Sequence, residues 1–260
     1  SLSGQSISDS VLMVLAGGWR GWRIEDGGGR IVLEPGVIGA EANAVLAPLG
    51  RKIGPDPASI NACMIGGIVA NNAAGMCCGT AQNSYRTLAG MRVVLADGTV
   101  LDSEDPASIA AFKQSHGALL GEIDRLGRDT RANARLAERI RHKFKIKNTT
   151  GYSLNALIDY EDPIDILAHL MIGSEGTLGF ISRITYNTVV EDPYKAATGC
   201  HALAVMTDWE AYRKLDYRKI YKSMVKPAFL FDGRNIVDHR KCFEIGFNVF
   251  PIGKPALTRF

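Results

Sequence analysis

The amino-acid sequence predicts an α+β domain followed by a small α/β unit with a three-stranded parallel sheet. Short apolar strands flank the turn signals Asp26-Gly27 and Asp97-Gly98, which is typical of antiparallel pairs. Further helical and strand patterns follow up to about residue 190. Beyond that point the order is strand, helix, strand, helix, strand, the pattern of a small parallel sheet.

The elements of the first part follow from apolar spacing and turn residues. In chain order they are short strands within 11–37 with a hairpin at 26–29, a short helix at 40–49, a helix beginning near Gly67, strands within 91–101, helical sequence over 106–144 with breaks at Gly117 and Gly127, a helix at 165–172 and a strand at 180–186. In the second part we expect strands at 201–206, 227–231 and 247–252, with helices at 208–224 and 238–245.

Composition indicates a folded globular protein without an obvious polyanion partner. The chain has 260 residues, 46% of them hydrophobic, and a formal net charge of +3. The basic residues concentrate in 138–147, where few aromatic residues are interleaved. We interpret that run as a solvated helix face and predict no nucleic-acid binding.

The cysteines argue against a disulfide framework and against a zinc site. There are five, an odd number, and no two have the C-x-x-C spacing. The sequence therefore predicts no metal site and favours reduced thiols in the cytoplasm. The apolar run 11–15 is far too short to span a bilayer, so no transmembrane segment is predicted.

Residues 64–79 form the segment around which the first part is organised. Glycines 66, 67, 75 and 79 are separated by small, apolar or amide side chains, and no residue of the segment is charged. Main-chain N–H groups can therefore approach an anionic ligand closely. Residues 55–59 precede this segment, and a second glycine-spaced loop at 173–179 leads into an apolar strand. Together they suggest that main chain holds a large dinucleotide cofactor.

Five motifs carry a resemblance to a known family: SLSGQ at 1–5, PDPAS at 55–59, GGIVANNAAG at 66–75, KNTTGY at 147–152 and GSEGTLGFI at 173–181. They resemble the FAD-binding (PCMH-type) domain of the flavin-linked oxidases related to vanillyl-alcohol oxidase. Within that group the likeness is greatest to bacterial D-lactate dehydrogenases of the glycolate-oxidase type. The resemblance covers about residues 1–190 and implies a partial FAD-binding domain there, N-terminally truncated because the chain begins inside a motif.

The resemblance implies FAD contacts from four segments of the chain. The residues it assigns to the cofactor are Ser3, Gly4, Gln5, Pro55, Asp56, Ser59, Gly66, Gly67, Asn71, Asn72, Gly75, Gly79, Glu175, Gly176, Thr177, Gly179 and Ile181. Several of these positions have a structural alternative. Residues 3–5 are either a cofactor loop or a frayed terminus, and the Asn71-Asn72 pair either contacts the flavin or caps a helix. Tyr85 packs either on the flavin or in the core.

No catalytic base can be assigned from the sequence. A flavin-linked alcohol dehydrogenase needs a base for the hydroxyl proton, and His169 stands one helical turn before the 173–179 loop. A histidine on an apolar helix is more often a core residue, and the family's base lies in a part that this sequence lacks. The catalytic residues are therefore unknown at this stage.

The sequence beyond residue 190 resembles a different family. The segments TDWEAYRKLDY, KPAFLFDGRNIVD and EIGFNVFPIGKP, within residues 192–254, are similar to the C-terminal UDP-binding domain of UDP-glucose 6-dehydrogenase. We therefore expect residues 191–260 to be a partial UDP-binding domain. Ligands of open parallel sheets bind at the carboxyl ends of the strands, where Arg234 falls, and the resemblance implies that Arg234 holds a UDP-sugar. The alternative is an arginine that faces solvent.

Three functional hypotheses remain open. The leading one is an FAD-dependent dehydrogenase of a D-2-hydroxy acid such as D-lactate, with hydride transfer to flavin N5. The second is NAD-dependent oxidation of a UDP-sugar, although the sequence contains no G-x-G-x-x-G fingerprint and no match to that family's catalytic cysteine. The third is a catalytically inert nucleotide-binding or interaction fragment.

Overall fold

The computed structural model describes residues 13–15, 17–75, 78–149, 151–190, 192–206, 208 and 210–259. The chain forms two compact units, Ser1–Glu191 and Asp192–Phe260. Each has its own hydrophobic core.

The first unit is built on an antiparallel sheet of five strands. The strands are β1 (Trp22–Glu25), β2 (Arg30–Leu33), β4 (Leu88–Val94), β5 (Val100–Asp102) and β6 (Phe180–Asn187), in the order β1-β2-β6-β4-β5; β3 (Arg51–Lys52) and β7 (Val189–Val190) form a separate antiparallel pair. The β1-β2 hairpin and the β4-β5 pair confirm the two turn predictions. The mixed architecture confirms the α+β class.

Helices supply the other layer of the first unit. They are α1 (Gly39–Leu46), α2 (Ile65–Asn71), α3 (Ser84–Thr87), α4 (Pro106–Ser115), α5 (Gly117–Ala132), α6 (Ala134–Lys143), α7 (Ala156–Asp159) and α8 (Pro163–Met171). Apolar residues alternate on the strands, so Ile31, Leu33 and Ile184 belong to the same buried cluster as residues of these helices. The opposite sheet face carries Arg30, Arg92 and Arg183, alternating in sequence with core positions.

One helix prediction for the first unit was wrong. The break expected at Gly127 is absent, because Gly127 lies inside α5 and a Cβ there would be 3.2 Å from Ile166 Cδ1. This glycine therefore permits close helix packing. The chain breaks instead at Asn133, whose side chain accepts a hydrogen bond from Leu136 N–H and so caps α6. Helix α2 begins at Ile65, two residues before Gly67, which agrees with the predicted start near Gly67.

The second unit contains the predicted parallel sheet. Strands β8 (Ala202–Val205), β9 (Phe229–Asp232) and β10 (Asn248–Pro251) are parallel, with β9 in the centre, which confirms the small α/β class. The helices are α9 (Pro193–Ala197), α10 (Glu210–Arg213), α11 (Tyr217–Ser223) and α12 (His239–Ile245). The single helix expected over 208–224 is split, because Asp216 accepts hydrogen bonds from Arg218 N–H and Lys219 N–H and begins a new helix.

No helix among the residues described here combines the length and apolar character needed to cross a bilayer.

Candidate functional site

The first unit contains a cavity of about 650 Å³ between helix α2 and the loop that precedes β6. This volume lies within the usual range for cofactor and ligand pockets. Seven of the residues predicted to contact a cofactor line it: Ser59, Gly66, Gly67, Glu175, Gly176, Gly179 and Ile181. Segments more than a hundred residues apart in the sequence thus converge on one cavity.

Two main-chain hydrogen bonds hold the 173–179 loop against the end of α2. Gly173 N–H donates to Val69 O at 3.2 Å, and Glu175 N–H donates to Ala70 O at 2.9 Å. A side-chain bond adds to them, because Asn71 Nδ2 donates to Glu175 Oε1 at 2.5 Å. The loop is therefore a fixed wall of the cavity.

The two glycine segments contribute to the cavity in different ways. The N–H of Gly66 is already bonded to Pro35 O at 2.9 Å, and a Cβ on Gly66 would lie 2.8 Å from Pro35 Cβ. Gly66 therefore allows α2 to pack against residue 35. Gly176 has φ +80° and no atom within 4 Å of a Cβ position. Its bare main chain faces open space, so an added side chain would occupy room now free for a ligand.

Gly75 does not line the cavity but lies against Asp56 in the 55–59 segment. It has φ +75°, and a Cβ there would overlap the carbonyl of Asp56. The N–H of Asp56 also donates to Ala74 O at 3.1 Å. This close approach fixes the 55–59 segment, including buried Pro55, so that Ser59 reaches the cavity. Gly79 has a positive φ of +53° and lies outside the lining.

The remaining predicted residues hold the walls together or fall outside the described chain. Asn72 adopts φ +50° at the C-terminal end of α2, so the asparagine pair closes that helix rather than capping its start. Thr177 lies 2.9 Å from the hydroxyl of Tyr152 and donates to Ser174 O, which joins the 147–152 motif to the loop. Ser3, Gly4 and Gln5 lie outside the described residues.

Sequence reasoning missed several apolar residues of the lining. They are Met13, Leu15, Pro35, Ala62, Cys63, Met64, Ala70 and Phe180. Phe180 directly follows the predicted loop and could have been found from that position. Pro35 and Leu15 carry no motif, and only the fold brings them here. The single carboxylate in this described lining is that of Glu175, which adopts a left-handed φ of +54°.

His169 and Tyr85 are core residues. The His169 ring stacks on Tyr160 with centroids 3.9 Å apart, and its Nδ1 lies 2.8 Å from Asp165 O. Because a carbonyl only accepts, Nδ1 carries the proton. Burial lowers the pKa of His169, and burial together with Asp159 raises that of Tyr85. Neither residue is among those that line the cavity.

In the second unit, the loop after β9 lies at the carboxyl ends of the parallel strands. Arg234 Nε donates to Met206 O at 3.0 Å, just after β8, and Asn235 Nδ2 donates to Ile252 O at 3.0 Å, just after β10. The guanidinium of Arg234 is on an exposed residue at the edge where sheet ligands bind. The structure thus places Arg234 where the strand pattern predicted.

Asp232 organises this loop from inside. Its buried carboxylate accepts hydrogen bonds from Val237 N–H and Arg234 N–H, both at 3.0 Å, and lies 2.9 Å from His239 Nε2. Burial opposes ionisation, but these hydrogen bonds outweigh it and lower the pKa of Asp232. An ionised Asp232 therefore fixes the backbone on which Arg234 stands.

Two family models match the chain, and the second match begins within the first unit, at residue 174. Residues 1–104 match the model of an FAD binding domain, and residues 174–239 match that of the UDP binding domain of the UDP-glucose/GDP-mannose dehydrogenase family. The chain thus joins a segment that matches FAD binding domains to a segment that matches UDP binding domains. The resemblances to an FAD-binding domain and to a UDP-binding domain are thereby confirmed, and the finer likeness to D-lactate dehydrogenases stays a prediction. The placing of residues 105–190 in the same domain as the FAD-binding segment remains a prediction.

The curated relatives named here are UDP-glucose 6-dehydrogenases. UDP-glucose 6-dehydrogenase 3 of Oryza sativa subsp. japonica is 54% identical over 68 residues, which are 26% of this chain and 14% of the relative. UDP-glucose 6-dehydrogenase 1 of Glycine max is 46% identical over 97 residues, 37% of this chain and 18% of the relative. UDP-glucose 6-dehydrogenase of Rattus norvegicus is 46% identical over 81 residues, 30% and 16% of the two chains. The chain thus spans less than a fifth of these relatives.

Among solved structures, alkyldihydroxyacetonephosphate synthase is similar in two crystal forms. The TM-scores are 0.35 and 0.37, with 15% and 17% sequence identity. The matches cover 65% and 66% of this chain and 21% and 22% of that protein.

The cavity of the first unit fits part of an FAD molecule. Its walls are main chain at Gly67 and Gly176 and apolar side chains such as Phe180 and Ile181, which suit a flat ring system. The open space beside Gly176 is a cradle that any Cβ would partly fill.

Proposed function

We propose that the chain is part of an FAD-linked dehydrogenase that oxidises a small 2-hydroxy acid such as D-lactate. The observation that carries this proposal is the common cavity between α2 and the 173–179 loop, which brings seven predicted cofactor residues together. The FAD-binding segment supports the cofactor. The hydroxy-acid substrate rests on the resemblance of the motifs alone.

Bound FAD would supply a hydride acceptor at flavin N5. The residues of this chain bind and orient it. Gly176 leaves room for a ring to lie against main chain, while Phe180 and Ile181 form an apolar part of the lining. Asn71 fixes the Glu175 side chain, so the one described carboxylate of the cavity keeps a set direction.

A matched pair of substitutions tests the cofactor site. Ala62 and Ala58 are both exposed residues of one loop, but only Ala62 lines the cavity. We expect Ala62→Trp to fill part of the cavity and weaken FAD binding at least tenfold, about 1.4 kcal/mol, while Ala58→Trp leaves it unchanged. FAD titration of the purified chain, followed by flavin fluorescence, gives both affinities. Equal FAD affinities in the two variants would contradict the proposal that FAD binds in this cavity.

Turnover is a separate measurement. With FAD bound, reduction of the flavin by D-lactate under anaerobic conditions would support the dehydrogenase. If the chain binds FAD but no 2-hydroxy acid reduces the bound flavin, the result would fit the third hypothesis, an inert nucleotide-binding fragment.

The second candidate function belongs to the residue 192–260 unit, which we propose as a partial UDP-binding domain. Arg234 supports it, because its guanidinium stands at the carboxyl edge of the parallel sheet. We expect UDP to bind with Arg234→Gln at least tenfold weaker, as for loss of a charged hydrogen bond. Arg240→Gln is a control, since Arg240 is also exposed but lies on α12. The hypothesis of NAD-dependent UDP-sugar oxidation would be supported only if the chain also reduced NAD in the presence of a UDP-sugar.

The proposed location remains the cytoplasm. Cys63, Cys78, Cys200 and Cys242 are all free thiols in the part of the chain that is described, and a reducing compartment suits them.

A further inference from the structure

A second cavity lies on the charged face of the five-stranded sheet, outside the candidate FAD site. It has a volume of about 370 Å³ and is lined by Trp19, Glu34, Arg92, Val94, Ser182 and Arg183. None of these six residues lines the larger cavity or was assigned a role above. The volume is enough for a small organic molecule.

The cavity is centred on two arginines that face each other across neighbouring strands. Arg92 on β4 and Arg183 on β6 are direct cross-strand partners. Like charges in that arrangement destabilise a sheet unless an anion compensates them. The arrangement therefore calls for negative charge close to both guanidinium groups.

Asp102 on β5 is the cross-strand partner of Arg92, but its carboxylate is paired with Arg183. Asp102 Oδ2 forms an ion pair with Arg183, and Asp102 Oδ1 accepts a hydrogen bond from Glu104 N–H at 3.2 Å. Glu34 Oε2 is bonded to Gly21 N–H at 2.7 Å. Within the described part of the chain, Arg92 has no ion pair or hydrogen bond from its guanidinium, and the buried Nε of Arg183 has no acceptor.

We propose that this cavity binds a small carboxylate that carries a flat apolar group. The guanidinium of Arg92, an exposed residue, can take the carboxylate with two parallel hydrogen bonds. The apolar group would lie against Trp19 and Val94, the aromatic and aliphatic walls of the cavity. The carboxylate of Glu34 also lines the cavity and would repel a ligand that carries more than one negative charge. A ligand with a single negative charge fits better than a dianion.

The test uses the full chain and benzoate as the probe, with acetate and inorganic phosphate as comparison anions. Binding is followed by tryptophan fluorescence and by isothermal titration calorimetry. We expect benzoate to bind more tightly than either comparison anion, because only benzoate offers both the single carboxylate and an apolar ring.

The variant Arg92→Gln should weaken benzoate binding at least tenfold, since it removes the uncompensated guanidinium and leaves the Arg183–Asp102 pair intact. Arg23→Gln is the matched control, because Arg23 is an exposed arginine of the same sheet that pairs with Glu25 and does not line the cavity. It should bind benzoate as the unaltered chain does. Circular dichroism of each variant checks that the sheet is retained.

Three results would overturn the proposal. The unaltered chain could fail to bind benzoate, the two arginine variants could lose binding equally, or phosphate could bind as tightly as benzoate. Because FAD affinity is measured separately with the Ala62 and Ala58 variants, none of these outcomes bears on the proposed flavin site.

Discussion

The side-chain amide of Asn71 donates a hydrogen bond to the carboxylate of Glu175 across 2.5 Å. This bond joins the last residue of α2 to a loop a hundred positions later, at the mouth of the larger cavity. Glu175 holds a left-handed backbone conformation, φ +54°, that is unfavourable for a residue with a side chain. The amide therefore helps to keep the loop in a conformation that the residue alone would not favour.

Replacing that amide should loosen the cavity wall. We expect Asn71→Ala to lower the stability of the loop contact by about 0.5–1.5 kcal/mol, the net contribution of a typical hydrogen bond, because Glu175 is exposed. Hydrogen exchange of residues 173–179 should become faster, and FAD affinity should fall. Asn187→Ala is the control, because Asn187 is an exposed residue at the end of β6. Unchanged exchange in Asn71→Ala would show that the two main-chain bonds hold the loop alone.

Gly75 and Gly79 both have a positive φ, but only at Gly75 would an added side chain also clash with a neighbouring residue. Gly75→Ala should destabilise the first unit by about 3 kcal/mol or more, because the new methyl group would overlap the Asp56 carbonyl and the φ of +75° is strained for alanine. Gly79→Ala has φ +53° but nothing within 4 Å, so only the backbone term of about 1 kcal/mol remains. Urea unfolding of the two variants measures the difference. Equal losses would mean that Gly75 does not position residues 55–59.

Local features of the fold could be predicted from the sequence, and long-range ones could not. The hairpin at 26–29 and the turn at Asp97-Gly98 depend on neighbouring residues, and both formed as expected. The order of the sheet depends on β6, which pairs with β2 and β4 across more than eighty residues. No periodicity in the sequence encodes which strands become neighbours.

In the candidate site, too, some residues could be predicted from the sequence and others only from the fold. Glycine spacing identified Gly66, Gly67, Gly176 and Gly179, all of which line the cavity. The same spacing could not distinguish them from Gly75, because its role depends on the approach of residue 56 in three dimensions. Helix breaks followed capping side chains at 133 and 216 rather than the glycine at 127. A glycine permits a break, but a cap and its hydrogen bonds stabilise one.

The buried histidine should make the first unit less stable in mild acid. Burial lowers the pKa of His169 in the folded chain, so the unfolded chain, with an ordinary pKa of about 6.5, binds the proton more readily. The contribution of His169 to stability is therefore full above about pH 6.5 and is lost as the pH falls through the folded pKa. Thermal unfolding between about pH 7.5 and about pH 5.5 should show a fall in Tm.

The variant His169→Phe isolates this contribution. Phenylalanine keeps a ring beside Tyr160 but cannot take a proton. We expect its Tm to depend less on pH over the same range, even though the loss of the bond to Asp165 O lowers its Tm at every pH. A pH dependence equal to that of the unaltered chain would place the titrating group elsewhere.

The carboxylate of Asp232 should be essential to the second unit. Three donors converge on it, and its lowered pKa means that its stabilising effect is present above the ordinary value of about 3.9 and is lost as the pH falls through the folded pKa. Asp232→Asn removes the charge from a buried network and should cost about 2–4 kcal/mol. Asp238→Asn is the matched control, since Asp238 is the exposed N-cap of α12 and asparagine caps a helix about as well. Hydrogen exchange of residues 229–251 reports on this unit by itself. Protection that falls equally in both variants would show that the buried network does not stabilise the loop that carries Arg234.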